Sequence, residues 1–197
     1  IICELGSTAE MKQKYPKADF IDAKGGIIMP AFINTHEHIY SAMARGLSVK
    51  GYNPKGFLDI LDGMWWTLDR NLSLAQTRQS ARATYIECIK NGVTTVFDHH
   101  ASFGEITGSL YAIEDAAKEM GVRSCLCYEV SDRDGLEKTR LAVNENEAFI
   151  KHALADDSDM IAGMMGLHAS FTLSDETLEL CAANKPKEVG YHIHVAE

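Results

Sequence analysis

Two short stretches carry pairs of imidazoles at a spacing that lets a strand aim both at one point. "NTHEH" holds His36 and His38 on either side of Glu37, and "HIHVAE" holds His192 and His194 with Glu197 three residues further on. At i and i+2 on a strand, both side chains leave the same face, with backbones about 7 Å apart. Imidazoles of that reach can meet one ion at the ~2.0–2.1 Å of a zinc–histidine bond. Glu37 points to the other face in the same geometry. The helical zinc pattern H-E-x-x-H is absent, because Tyr40 stands where its second histidine belongs. A single H-x-H is a weak signal, but two copies at the ends of two strands point to a metal centre. Beyond the end of its strand, Glu197 can lean back over that centre and move a proton between an ion-bound water and a substrate nitrogen. The ion would bring the pKa of that water toward neutrality, making hydroxide the nucleophile.

The elements that must position these groups alternate between apolar runs and amphipathic segments. "GIIMPAFI" reads as a buried strand ending at the first histidine pair. A helix follows from about Leu74 to Lys90, with Asn91-Gly92 as its stop. "VTTVFDHH", "VRSCLCYEV", "MIAGMMGLHASF" and "VGYHIHVAE" read as four further strands. Helices between them are predicted over "EITGSLYAIEDAAKEMG", "DGLEKTRLAVNENEAFIKHALADD" and "SDETLELCAAN". Strands of continuous apolar character separated by helices imply a parallel sheet with helices outside it. Seven histidines (His36, His38, His99, His100, His168, His192 and His194) fall at or near the C-terminal ends of these strands. In a β/α barrel those ends converge on one face, where sites are assembled from several strands. A doubly wound nucleotide site would need a glycine-rich turn after the first strand, and "NTHEHIYSAM" has none. The fold class is therefore α/β, a partial (β/α)8 TIM-like barrel with about strands 1–5 present.

Composition narrows the partners. A formal charge of −9 with scattered basic residues leaves no footprint for nucleic acid, so a small-molecule substrate is expected. No apolar run reaches the ~18 residues of a membrane span, and no basic segment with an apolar stretch opens the sequence, which predicts no membrane partner and a cytoplasmic location. Five cysteines, with no C-x-x-C spacing, read as reduced thiols. Trp65 and Trp66 are expected to pack against the barrel or a subunit neighbour, or to form a lid. Asp59, Asp62 and Asp69 around them read as solvated charges, and His152 as a surface residue in a polar helix.

Three ordered motifs carry a resemblance. "MPAFINTHEH" resembles the strand-one signature of the amidohydrolase superfamily. "GLHASFTLS" is similar to the strand-four segment of the branch holding triazine chlorohydrolases and nucleobase-type deaminases, and "HIHVAE" resembles that branch's strand-five motif. The resemblance implies one divalent metal, zinc first with iron as the alternative, held by His36, His38 and His194. It implies Glu197 as the catalytic proton shuttle and His168 as a substrate contact. His99 and His100 end strand two, where the family varies with substrate. They are substrate-binding candidates, with solvated loop positions as the simpler reading of each. The resemblance assigns no role to His192, for which a supporting or packing function and a substrate contact are the alternatives. The implied reaction is hydrolysis of a carbon–nitrogen bond other than a peptide bond, removing an amino group from a heterocyclic or amidine-like carbon. Hydrolytic dechlorination, opening of a cyclic amide, or an inactive metal-binding fragment are the alternatives.

The resemblance also sets the domain reading. Residues 1–26 are expected to be the remnant of a small β-sandwich unit, and 27–197 the N-terminal part of a metal-dependent hydrolase barrel that can assemble as a homo-oligomer. Ala31 stands where the family pattern has glycine, a change that a strand residue with negative φ tolerates. The family's further histidine on strand six and aspartate on strand eight are expected beyond residue 197.

Overall fold

The computed structural model describes residues 2–196. It divides into two compact units, Ile1–Pro30 and Ala31–Glu197. The first unit contains helix α1 (Thr8–Lys14), opened by a capping box in which Ser7 and Glu10 satisfy each other's backbone N–H groups. Among its described residues there is no strand.

The second unit is built on parallel strands. β1 (Phe32–Glu37), β2 (Val93–His100), β3 (Arg123–Tyr128) and β4 (Ile161–Gly163) lie in that order, every pair parallel. β5 (Met165–Ala169) pairs in parallel with β6 (Tyr191–His194). A bridge between Val130 and Leu167, with Val130 N donating to Gly166 O at 3.2 Å and His168 N to Val130 O at 2.9 Å, carries the hydrogen bonding from β3 across to β5. The sequence run "MIAGMMGLHASF" is thus broken into β4 and β5 at Met164, whose N–H turns to Leu126 O at 3.1 Å. Gly166 permits the crossing. A Cβ there would stand 2.2 Å from the carbonyl oxygen of Tyr128, so only glycine lets β5 run this close to the end of β3.

Helices connect the strands. The short helices α2 (Phe57–Ile60) and α3 (Trp66–Asp69), joined by a π-helical turn over Leu61–Trp65, follow β1 and lead to α4 (Leu74–Lys90). α5 (Ser109–Met120) follows β2, α6 (Leu136–Leu154) follows β3, and α7 (Asp175–Asn184) follows β5. Ser73 caps α4 with Gln76 in a capping box, and Gly121 ends α5 at φ 69°. The core lies between helices and sheet, where Tyr85, Val96, Leu110, Ile113, Leu126, Phe149 and Ile150 are almost fully buried. Each such aliphatic or aromatic side chain stabilises the fold by about 1.5–3 kcal/mol relative to an exposed position. From α6, the Asn146 amide accepts from Tyr128 N at 2.8 Å and donates to Tyr128 O at 2.7 Å, tying down the end of β3 just before the site.

The first strand is shorter than its apolar run. Strand structure starts at Phe32, and Ile27, Ile28 and Met29 are exposed without regular structure. Among the described residues β1 pairs with β2 alone, so Phe32 and Ile33 keep 59% of their surface exposed. A parallel strand is buried on both faces only where other layers cover it. Among the described residues no helix is long and apolar enough to cross a membrane.

Candidate metal centre

β1 stops at Glu37 because that residue's own carboxylate bends the chain: it accepts from Asn34 Nδ2 at 2.7 Å and from His38 N at 3.1 Å. Asp98 of β2 then accepts from Ile39 N at 2.7 Å, holding the turn from outside. These contacts direct the His36 and His38 rings inward, where they meet His194 at the end of β6. The three Nε2 atoms form a triangle with sides of 3.2 Å (His36–His38), 3.1 Å (His36–His194) and 3.2 Å (His38–His194).

Hydrogen bonding on the far side of each ring fixes its tautomer. His38 Nδ1 donates to His99 O at 2.8 Å, and His194 Nδ1 to His168 O at 2.7 Å. His36 Nδ1 lies 2.8 Å from His192 Nε2, while His192 Nδ1 faces Cys127 Sγ at 3.7 Å. With His192 donating toward the sulfur, its Nε2 accepts from His36. All three rings therefore carry their proton on Nδ1 and turn an Nε2 lone pair into the triangle. Three lone pairs this close repel one another unless a cation lies between them. The fit is good: a tetrahedral ion with ~2.0–2.1 Å bonds separates its ligand atoms by about 3.3 Å. Burial pushes His38 down to about 4, with the neighbouring histidines adding to it, and lowers His36, where His194 adds to the same effect. Neutral imidazole is the form that binds a metal.

Above the triangle lies a cavity of about 330 Å³. Phe57, Leu61 and Trp65 form its apolar wall, and Glu129 and His168 its polar one. Trp65 ends the π-helical turn and meets Tyr40 edge to face, with ring centroids 6.2 Å apart. A π turn is an uncommon way to aim a side chain and is frequent at functional sites.

The other histidines divide clearly. His168 lines the cavity, its Nδ1 2.8 Å from Thr172 Oγ1. His99 and His100 do not. Both are 0% exposed at the end of β2, sandwiched between β1 and β3, so neither is a solvated loop residue. His99 acts through its backbone oxygen on His38, and its own Nε2 donates to Leu167 O at 3.0 Å. Burial pushes both rings down to about 3, so they add no positive charge beside the ligands. His152 sits away from the site in a surface ion cluster, 2.9 Å from Glu114. Asp69 is not solvated. It is fully buried and paired with Arg133 at 2.5 Å, a partner 64 residues away. Glu197 lies outside the described residues.

Residues 27–197 match the sequence profile of the amidohydrolase family. The chain belongs to that family. Among amidohydrolase relatives it is 32% identical over 182 residues to a 5'-deoxyadenosine deaminase of Methanobrevibacter smithii, covering 90% of this chain and 38% of that one. It is 31% identical to a 5-methylthioadenosine/S-adenosylhomocysteine deaminase of Thermococcus onnurineus, over 78% of this chain and 34% of that one. The chain thus spans well under half the length of these relatives. The guanine deaminase from C. acetobutylicum superposes with a TM-score of 0.69 at 16% identity, over 92% of this chain and 43% of that one. A variant of the atrazine chlorohydrolase TrzN from Arthrobacter aurescens TC1, complexed with zinc and atraton, gives 0.65 at 21%, over 85% and 41%. These likenesses establish the partial amidohydrolase barrel.

One residue of the site, Glu129, is absent from the sequence reading, and the contact of a second, His192, is not specified by it. Glu129 follows the last residue of β3 and could have been found by asking what polar group ends each strand. His192 was identifiable as a member of the second H-x-H, but its contact with His36 crosses 156 residues and no local pattern announces it. Support of a ligand's other ring nitrogen typically carries 10–100-fold in metal affinity. His192→Phe is expected to weaken zinc binding by about 10–100-fold, read by competition with a chelating dye; unchanged affinity would mean that His36 holds its orientation without this partner.

Proposed function

We propose that this protein is a metal-dependent aminohydrolase that releases ammonia from a small heterocyclic or amidine-like substrate. The observation that carries the reading is the convergence of three Nε2 lone pairs beneath a cavity with one apolar and one polar wall. The deaminases among its relatives support the same reaction class. His36, His38 and His194 would hold one divalent ion, with zinc first among the ions that suit imidazole donors. When bound, such an ion supplies a water made acidic enough to act near neutral pH. The chain's own residues do the rest. Trp65, Leu61 and Phe57 cover one face of a planar substrate and exclude water from it. His168 stands beside the substrate's edge, held by Thr172. Glu197 carries a proton to the substrate nitrogen as the amine leaves. We place the protein in the cytoplasm, with a small molecule as its substrate.

The test is ammonia release by the zinc-loaded enzyme produced from its own gene, against adenosine-type nucleosides, guanine and aminotriazines. At least one of these is expected to yield ammonia in proportion to enzyme. Chloride from a chlorotriazine, or ring opening of a cyclic amide, with no ammonia from any compound would replace deamination with that reaction.

A further inference from the structure

Glu129 is a buried carboxylate to which no described residue donates a hydrogen bond. It is 2% exposed and lines the cavity above the histidine triangle. Among the described residues its oxygens take no hydrogen bond. Three nitrogens lie near it, and none donates. His99 Nδ1 is 3.4 Å away but unpartnered, because the ring's Nε2 carries the proton to Leu167 O, leaving a lone pair toward the carboxylate. Arg133 Nη2 is 3.9 Å away and already engaged with Asp69. His168 Nε2 is 4.0 Å away. Arg133 faces two carboxylates, Asp69 and Glu129, and binds the first. The cavity wall thus presents a carboxylate acceptor that no described residue meets.

We infer that Glu129 determines specificity at this site by accepting an N–H of a flat aminated heterocycle, from a ring N–H or an amino group other than the one released, while the ring lies against Trp65. This rests on the aminohydrolase reading and narrows its substrate class to heterocycles that carry an N–H donor beyond the reacting amine. The opposed walls favour such a ring: Leu61 and Trp65 offer apolar surface to its face, and Glu129 offers an acceptor to its edge. A heterocycle lacking that donor would bury the carboxylate without a partner, and sites built to bond a substrate N–H reject analogues without it. An ion on Glu129, His99 and His38 is the competing use of these atoms, since one ligand atom from each lies within 4.8 Å of the others. It would need the His38 Nε2 lone pair that already faces His36 and His194.

The experiment compares 9-methylpurine, which carries no N–H, with 2-amino-9-methylpurine, which adds one amino group, as probes of the zinc-loaded enzyme made from its own gene. Dissociation constants come from calorimetry, so the result does not depend on turnover. The wild type is expected to bind 2-amino-9-methylpurine about ten-fold or more tighter than 9-methylpurine, the worth of one hydrogen bond to a charged group. In Glu129→Gln the preference is expected to fall to about three-fold or less, with one equivalent of zinc retained and the circular dichroism spectrum unchanged. Equal binding of the two probes by the wild type would overturn the assignment, whatever the variant does. So would a preference that survives in Glu129→Gln. A second zinc equivalent bound by the wild type and lost in the variant would give Glu129 to an ion instead. Loss of the preference in an enzyme that releases no ammonia from any compound would keep the recognition role and discard the deamination.

Discussion

His38→Asn is expected to abolish stable zinc binding and, with it, turnover. His38 sits at the crowded corner of the triangle: its Nε2 is 3.2 Å from both other Nε2 atoms, and its Nδ1 proton is fixed on His99 O at 2.8 Å. Asparagine can still reach toward that carbonyl but cannot present a second nitrogen to the ion. Residues that merely support a ligand typically cost 10–100-fold in affinity when changed, so losing the ligand itself should cost more than about 100-fold. The fold should survive, because His38 is outside the buried apolar cluster formed by Tyr85, Val96, Leu126, Phe149 and their neighbours. The measurement is zinc per chain after dialysis against a weak chelator, together with a circular dichroism spectrum. A correctly folded variant that still held one zinc per chain would remove His38 from the ligand set and leave the triangle as a packing arrangement.

What could be read from the sequence follows from how local each signal is. The limits of α4 and β2 coincide with their sequence readings, because Ser73 with Gln76, and Asn91 with Gly92, act within a few residues of the ends they set. The meeting of the two H-x-H pairs was legible for a similar reason: i, i+2 spacing fixes a shared face, and parallel strands bring their C-terminal ends together, while the choice of His194 over His192 came from the family resemblance. The failures are all non-local. The break between β4 and β5 lies inside one unbroken apolar run, and it is set by the approach of Gly166 to Tyr128, 38 positions earlier in the chain. Asp69 reads as solvated until Arg133 arrives from the other end of β3 and α6's connection. His99 and His100 read as solvated, yet both are fully buried, because β3 still pairs with them at the end of β2. The apolar run before Phe32 promised a longer strand than its single pairing partner supports.

Glu197→Gln is expected to have the opposite signature to His38→Asn: zinc retained and turnover lost. The three ring nitrogens that face one another come from His36, His38 and His194, and each is oriented by a backbone oxygen or by His192. The carboxylate at 197 is expected to serve proton transfer and not the ligand set. Its place three residues beyond His194, at the end of "HIHVAE", suits a carboxylate that takes a proton from the activated water and gives it to the departing nitrogen. An amide cannot gain and release that proton at neutral pH, although it matches the carboxylate in size. General acid–base transfer by one side chain is worth about 10²–10⁴-fold, or about 3–5 kcal/mol of barrier. Turnover should therefore fall by that factor while KM changes little, because the proposed substrate contacts come from the cavity walls. Metal content and ammonia release measured on the same preparation separate the cases. Lost zinc would make Glu197 part of the ion's surroundings, and wild-type turnover with zinc retained would transfer the proton to another group, with His168, already at the cavity wall, the first to examine.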